Sequence, residues 1–148
     1  MTEQMQLRDL LPVVQEVLET GGEFTFAPSG GSMRPMLDGD CTVTIRKAEG
    51  QLKRLDLPLY IADDGRFVLH RVIEVNPDGY VMLGDGNLLR EEGIPDSRIV
   101  GVVCAFSRKG KKYSVESLGY RLYCRVWTAL PLLRRFMRRQ IESNTDRL

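Results

Sequence analysis

The sequence predicts a mainly β protein: a bent, mostly antiparallel sheet or partly open barrel, with an amphipathic helix before it and a basic helix after it. Three observations carry this. Short apolar/polar alternations recur between Glu23 and about Glu116. Gly, Pro, Asn and Asp clusters separate them, as in a sheet of short strands. Helical periodicity is confined to residues 5–18 and 118–141. The organisation expected is a helix within 1–22, a β domain over 23–117 and a helical tail over 118–148.

Each element has its own signal. Leu7, Leu10, Leu11, Val14, Val17 and Leu18 form one stripe, with Asp9 as a cap, Pro12 in the first turn and Gly21-Gly22 as the stop. Phe24–Phe26 is a short strand. Cys41, Val43 and Ile45 alternate with Thr42, Thr44 and Arg46, as in a half-buried strand. Leu57–Ala62 is another. Phe67–Val75 and Tyr80–Leu83 flank Asn76-Pro77-Asp78-Gly79, a hairpin turn by composition. In the first of these strands Val68, His70 and Val72 face one way, and Leu69, Arg71 and Ile73 the other. Ile99–Phe106 is a continuous apolar run that suits a strand buried on both faces, and Lys112–Val115 closes the set. In the tail, Leu118, Leu122, Val126, Leu130, Leu133 and Met137 share one side, and Pro131 kinks or splits the helix.

Composition narrows the chemistry. The 148 residues suffice for one domain with a real core. The net charge of +1 hides an asymmetry: residues 1–117 hold 14 Lys and Arg against 18 Asp and Glu, and residues 118–148 hold seven against two. An acidic body without a helix-turn-helix argues against nucleic acid as a partner. Cys41, Cys104 and Cys124 are odd in number and far apart, so reduced thiols and a cytoplasmic setting are expected. The single histidine excludes multi-His metal sites; no metal or cofactor is expected. The first twenty residues, with Glu3, Asp9, Glu16 and Glu19, do not read as a signal peptide, and no apolar stretch is long enough to span a bilayer.

Three stretches carry the candidate site. Pro28-Ser29-Gly30-Gly31-Ser32-Met33-Arg34-Pro35-Met36-Leu37-Asp38-Gly39-Asp40 is a shaped loop presenting Ser32. A serine nucleophile needs a neighbouring base, and His70 is the one imidazole in the chain. Leu83-Gly84-Asp85-Gly86-Asn87 is a turn in which Asp85 can accept from the second imidazole nitrogen, as in a serine triad.

In this order the pieces resemble the signal peptidase I family. Ser32, Met33, Pro35, Leu37, Gly39 and Asp40, then His70, Arg71, Val72 and Ile73, then Gly84, Asp85 and Asn87 match its motifs, over about residues 24–106. The pattern is closest to the Ser-His branch of the endoplasmic-reticulum and archaeal enzymes; LexA-type repressors belong to the same clan. The resemblance implies the family's bent β domain and a peptide or precursor-protein substrate, with no cofactor. It implies Ser32 as nucleophile, with its N–H donating to the oxyanion, and His70 as base, cutting a leader or signal-like peptide through an acyl-enzyme. Ser29, Gly30, Gly31, Met33 and Pro35 would line the substrate. The third group stays open among Asp85, Glu91, Glu92 and Asp96, with Asp85 ranked first on its motif match. The family's Ser-Gly-Ser-Met carries an extra glycine here.

Other readings stay open: a non-hydrolytic regulatory or dimerisation module on a LexA-like scaffold, or a membrane-surface adaptor. The tail over 118–141 either packs its leucine stripe on the domain, lies on an anionic membrane surface, or docks a partner protein.

Overall fold

The computed structural model describes residues 3–130. Its elements are α1 (Glu3–Glu19), β1 (Phe24–Phe26), β2 (Cys41–Arg46), β3 (Pro58–Ile61), β4 (Phe67–Leu69), β5 (Arg71–Asn76), β6 (Gly79–Leu83), β7 (Glu91–Ile94), a single 3-10 turn (Asp96–Arg98), β8 (Ile99–Arg108), β9 (Lys111–Ser114) and α2 (Leu118–Ala129). The chain is mainly β, with antiparallel sheets and two helices, and the described strands close no barrel.

One sheet runs in the order β1-β2-β8-β3-β4, and β9 also pairs with β8. β8 is its spine. One edge of β8 pairs with β2, from Cys41 opposite Arg108 to Arg46 opposite Val102, while β3 and β9 share the other edge. Register shifts at Thr44/Ile45 and Leu59/Tyr60 mark bulges, which bend a sheet and raise its twist. The second sheet is β5-β6-β7. Its β5–β6 hairpin turns through Pro77-Asp78 with Asn76 paired to Gly79, as the composition predicts.

Two apolar clusters hold these sheets. The first joins Leu7, Val14 and Leu18 of α1 to Val43, Ile45, Val103 and Phe106 of the large sheet, and takes in Met33, Met36 and Leu37 from the β1–β2 loop. Gly101 lets α1 come close: a Cβ there would lie 2.9 Å from the Arg46 carbonyl and 3.1 Å from Leu18 Cδ1. The second cluster packs Tyr60 and Val68 against Val72, Tyr80 and Met82.

Five expectations need correction. α1 begins at Glu3, so Pro12 lies inside it and Asp9 does not cap it. The cost of a missing N–H is carried by a helix whose Leu7, Val14 and Leu18 are buried; Leu10, on the expected stripe, is 42% exposed. Phe67–Val75 is two strands, because residues 67–69 pair with β3 and residues 71–76 with β6; His70 is the crossing point between sheets. β8 is covered along both edges but not buried on both faces: Gly101, Val103 and Phe106 are buried and their neighbours half-buried. β7, absent from the sequence reading, is an edge strand of Glu-Glu-Gly-Ile. Its side chains give no strand signal, and charge on an edge is tolerated because that edge faces no further strand.

The fifth correction concerns α2, whose N-terminus is capped by Ser117 Oγ accepting from the Tyr120 N–H. The helix buries Tyr120, Cys124 and Trp127, and leaves Leu118, Leu122, Val126 and Leu130 exposed. Packing of the leucine stripe on the domain is thereby overturned for residues 118–130. Leu133, Met137 and the Pro131 break lie outside the described residues.

Candidate active site

The β1–β2 loop is nailed to the core by Met33, Met36 and Leu37, each buried. Local turns shape it: the Arg34 N–H donates to the Gly31 carbonyl at 3.2 Å and the Leu37 N–H to the Met33 carbonyl at 3.0 Å. Gly30 takes a φ of +85°, a conformation that favours glycine. Ser32, half-buried, is held at the tip of this anchored loop.

Ser32 faces a cleft of about 430 Å³ that is also lined by Ser29, Gly30, Gly31, Met33, His70, Asn87 and Glu91. The Gly84–Asn87 turn ties its walls together. The Gly86 N–H donates to the Ser32 carbonyl at 2.9 Å. Asn87 Nδ2 stands 3.4 Å from His70 Nε2. Glycine is required here by crowding: a Cβ on Gly84 would collide with the Ser32 carbonyl, and one on Gly86 would stand 2.8 Å from the Gly31 carbonyl. The serine loop and the histidine are thus referred to one rigid turn.

His70 is buried, and its Nδ1 lies 3.2 Å from Tyr60 Oη and 3.7 Å from Glu91 Oε1. With Asn87 donating to Nε2, the proton sits on Nδ1, facing Tyr60 and Glu91. Burial holds the imidazole down to about 4 from 6.5; Arg66 adds to the depression and the Asp85 carboxylate opposes it. The ring is therefore neutral at neutral pH, the form a base needs. Tyr60 is pushed far up, by burial first and then by Glu91, and stays a phenol.

The depressed value has a consequence for stability. Protonation is harder in the folded state than in the unfolded one, so the stability this group lends is complete above about 6.5 and is lost as pH falls towards about 4. His70→Gln removes that titration. Urea unfolding from about pH 7 to about pH 5 should show the wild type losing on the order of 2 kcal/mol more than His70→Gln.

Asp85 is not the partner of the imidazole. Its carboxylate forms a two-point ion pair with Arg71, Nε to Oδ1 at 2.8 Å and Nη2 to Oδ2 at 2.9 Å, in which Arg71 is 0% and Asp85 2% exposed. Tyr123 Oη donates to Oδ2 at 2.8 Å, and Trp127 Nε1 to the Asp85 carbonyl at 2.8 Å. Arg71 Nη1 donates to Tyr120 Oη at 2.9 Å and contacts Cys124 Sγ at 3.0 Å. This pair is the socket into which α2 plugs. A buried guanidinium demands a carboxylate, which draws Asp85 away from His70.

Of the four acids open on sequence, Glu91 stands beside the imidazole, Oε1 at 3.7 Å from Nδ1. Asp96 accepts from Tyr80 Oη at 2.6 Å, and Glu92 is exposed. Ser29, Gly30 and Gly31 line the cleft, and so does Met33, which is buried. Pro35 does not line it. Tyr60 was missed, because a tyrosine in an apolar strand reads as core. Arg71 carries a signal, a charge inside an apolar run, but neither strand alternation nor its motif match points to its pairing with Asp85.

No helix among the described residues is long and apolar enough to cross a membrane. Comparison with protein-family models, with curated proteins and with solved structures finds no match to this chain.

Proposed function

We propose that this chain is a serine endopeptidase of the signal-peptidase type, built on that family's bent β domain, with Ser32 as nucleophile and His70 as base. The observation that carries the reading is the shared cleft: an anchored serine loop and a buried neutral imidazole, joined through one glycine-bounded turn.

The chemistry follows from these positions. Ser32 Oγ attacks the scissile carbonyl as its proton passes to His70 Nε2, whose lone pair is released from the long 3.4 Å contact with Asn87. The Ser32 N–H donates to the developing oxyanion. Glu91 and Tyr60, on the Nδ1 side, hold the tautomer, and the Glu91 carboxylate favours the imidazolium as it forms. The imidazolium then protonates the departing amine, leaving an ester on Ser32. A water, deprotonated by His70, hydrolyses that ester and restores the serine. The substrate is an extended peptide segment. Leu89, which lines the cleft, is 85% exposed and its neighbour Leu88 49%, an apolar rim suited to a leader-like sequence.

The test is cleavage of a mixed peptide library followed by mass spectrometry. The wild type should yield defined cleavage sites, all lost in Ser32→Ala. Cleavage by Ser32→Ala at the wild-type rate would overturn the reading, and a folded wild type that cleaves nothing would favour the non-hydrolytic module.

A further inference from the structure

α2 turns its leucines outward. Leu118 is 84% exposed, Leu122 64%, Leu130 48% and Val126 42%. The opposite side of the helix is committed to Arg71 and Asp85. At about 100° per residue, Arg121 and Arg125 fall beside this apolar stripe. Both also line a second cleft of about 460 Å³, which shares no residue with the Ser32 cleft, and there they join Arg46, Lys53 and Arg54. Among the residues lining this cleft, five cations stand with two carboxylates, Asp56 and Glu116, and Asp56 already accepts from the Lys53 N–H at 2.8 Å.

An apolar stripe rimmed by charge marks an interaction surface. The charge selects the partner. A second copy, paired face to face through the stripe, would bring one cationic recess towards another. An anionic bilayer complements both features: leucines enter the acyl boundary, and arginines lie among the headgroups with their stems along the apolar surface. The sequence after Pro131 keeps the same composition, with Arg134, Arg135, Arg138 and Arg139 among Leu132, Leu133, Phe136 and Met137.

We propose that the outer face of α2, with the cationic recess beside it, is a docking surface for an anionic phospholipid bilayer. The helix lies in the plane of the interface and does not cross it. The Arg71–Asp85 socket ties α2 to the body, so a docked α2 holds the body at the surface.

Co-sedimentation of the full chain with vesicles tests this without reading cleavage. Two vesicle types are compared, an equal mixture of phosphatidylglycerol and phosphatidylcholine, and phosphatidylcholine alone. The wild type should bind the mixture at least about tenfold more tightly. Leu118→Gln/Leu122→Gln and Lys53→Gln/Arg125→Gln should each weaken that binding at least about tenfold. All four side chains are exposed, and unchanged circular dichroism and melting certify the fold. Equal binding of both vesicle types, or wild-type binding by either double variant, overturns the proposal. So does a wild type that ignores vesicles but sediments as a dimer that Leu118→Gln/Leu122→Gln dissociates, which would make the stripe a self-interface.

Discussion

Asp85→Ala should lower the unfolding free energy by about 3–5 kcal/mol, because it leaves a guanidinium buried without its carboxylate. Arg71 is 0% exposed, and its two-point bond to Asp85 is a charge-assisted pair inside the core. The same change frees Tyr123 Oη, which donates to Asp85 Oδ2. Part of the loss is therefore detachment of α2. Urea unfolding gives the magnitude, and Trp127 fluorescence reports the helix, since its indole N–H donates to the Asp85 carbonyl. The double variant Arg71→Leu/Asp85→Leu should cost less than Asp85→Ala, since it removes both charges together. A loss below about 1 kcal/mol in Asp85→Ala would contradict the assignment of Asp85 as a structural group.

The larger effect is on the reaction. Once a cleaved peptide is in hand, Ser32→Ala should lower kcat/KM by on the order of 10³-fold or more, and His70→Ala by about 10²–10⁴-fold. The double variant should be little worse than the poorer single one, because nucleophile and base act as a unit. Independent, multiplying losses would show that the two residues do not act on the same proton. Fold can be followed separately, since Ser32 is half-buried at a loop tip and makes no core contact through a large side chain.

The strands were legible where side chains alternate. Cys41–Arg46 alternates buried residues with half-buried or exposed ones, and the Pro77-Asp78 hairpin lies where its composition puts it. β7 was not legible, because an edge strand is specified by the backbone of β6 and not by its own side chains. The break at His70 was also invisible. Its neighbours stay apolar on both sides, and only the change of partner, from β3 to β6, divides the run.

The site was legible in its parts and not in its pairing. Ser32 and His70 both line one cleft of about 430 Å³. Asp85 was misassigned because sequence order cannot tell which of two adjacent residues, His70 or Arg71, a carboxylate will choose. Desolvation decides it: a buried guanidinium cannot shed its charge, whereas an imidazole can. The inverted α2 has the same origin. A hydrophobicity count ranks leucine above tyrosine and tryptophan, but the surface beneath α2 is an ion pair that needs donors. Tyr120, Tyr123 and Trp127 bring hydroxyl and indole groups, and the leucines have none to offer.

The central claim is that His70 activates the side chain at position 32, and Ser32→Cys tests it without any knowledge of the substrate. A thiol next to an imidazole forms a thiolate more readily than a free cysteine. The three native thiols give a low background: Cys41 and Cys124 are buried, and burial pushes the Cys104 thiol up. Alkylation by iodoacetamide at about pH 6.5, read residue by residue by mass spectrometry, should be at least about tenfold faster at position 32 in Ser32→Cys than in Ser32→Cys/His70→Ala. Equal rates in the two variants would mean that the imidazole does not reach position 32, and the Ser32–His70 pair would fall.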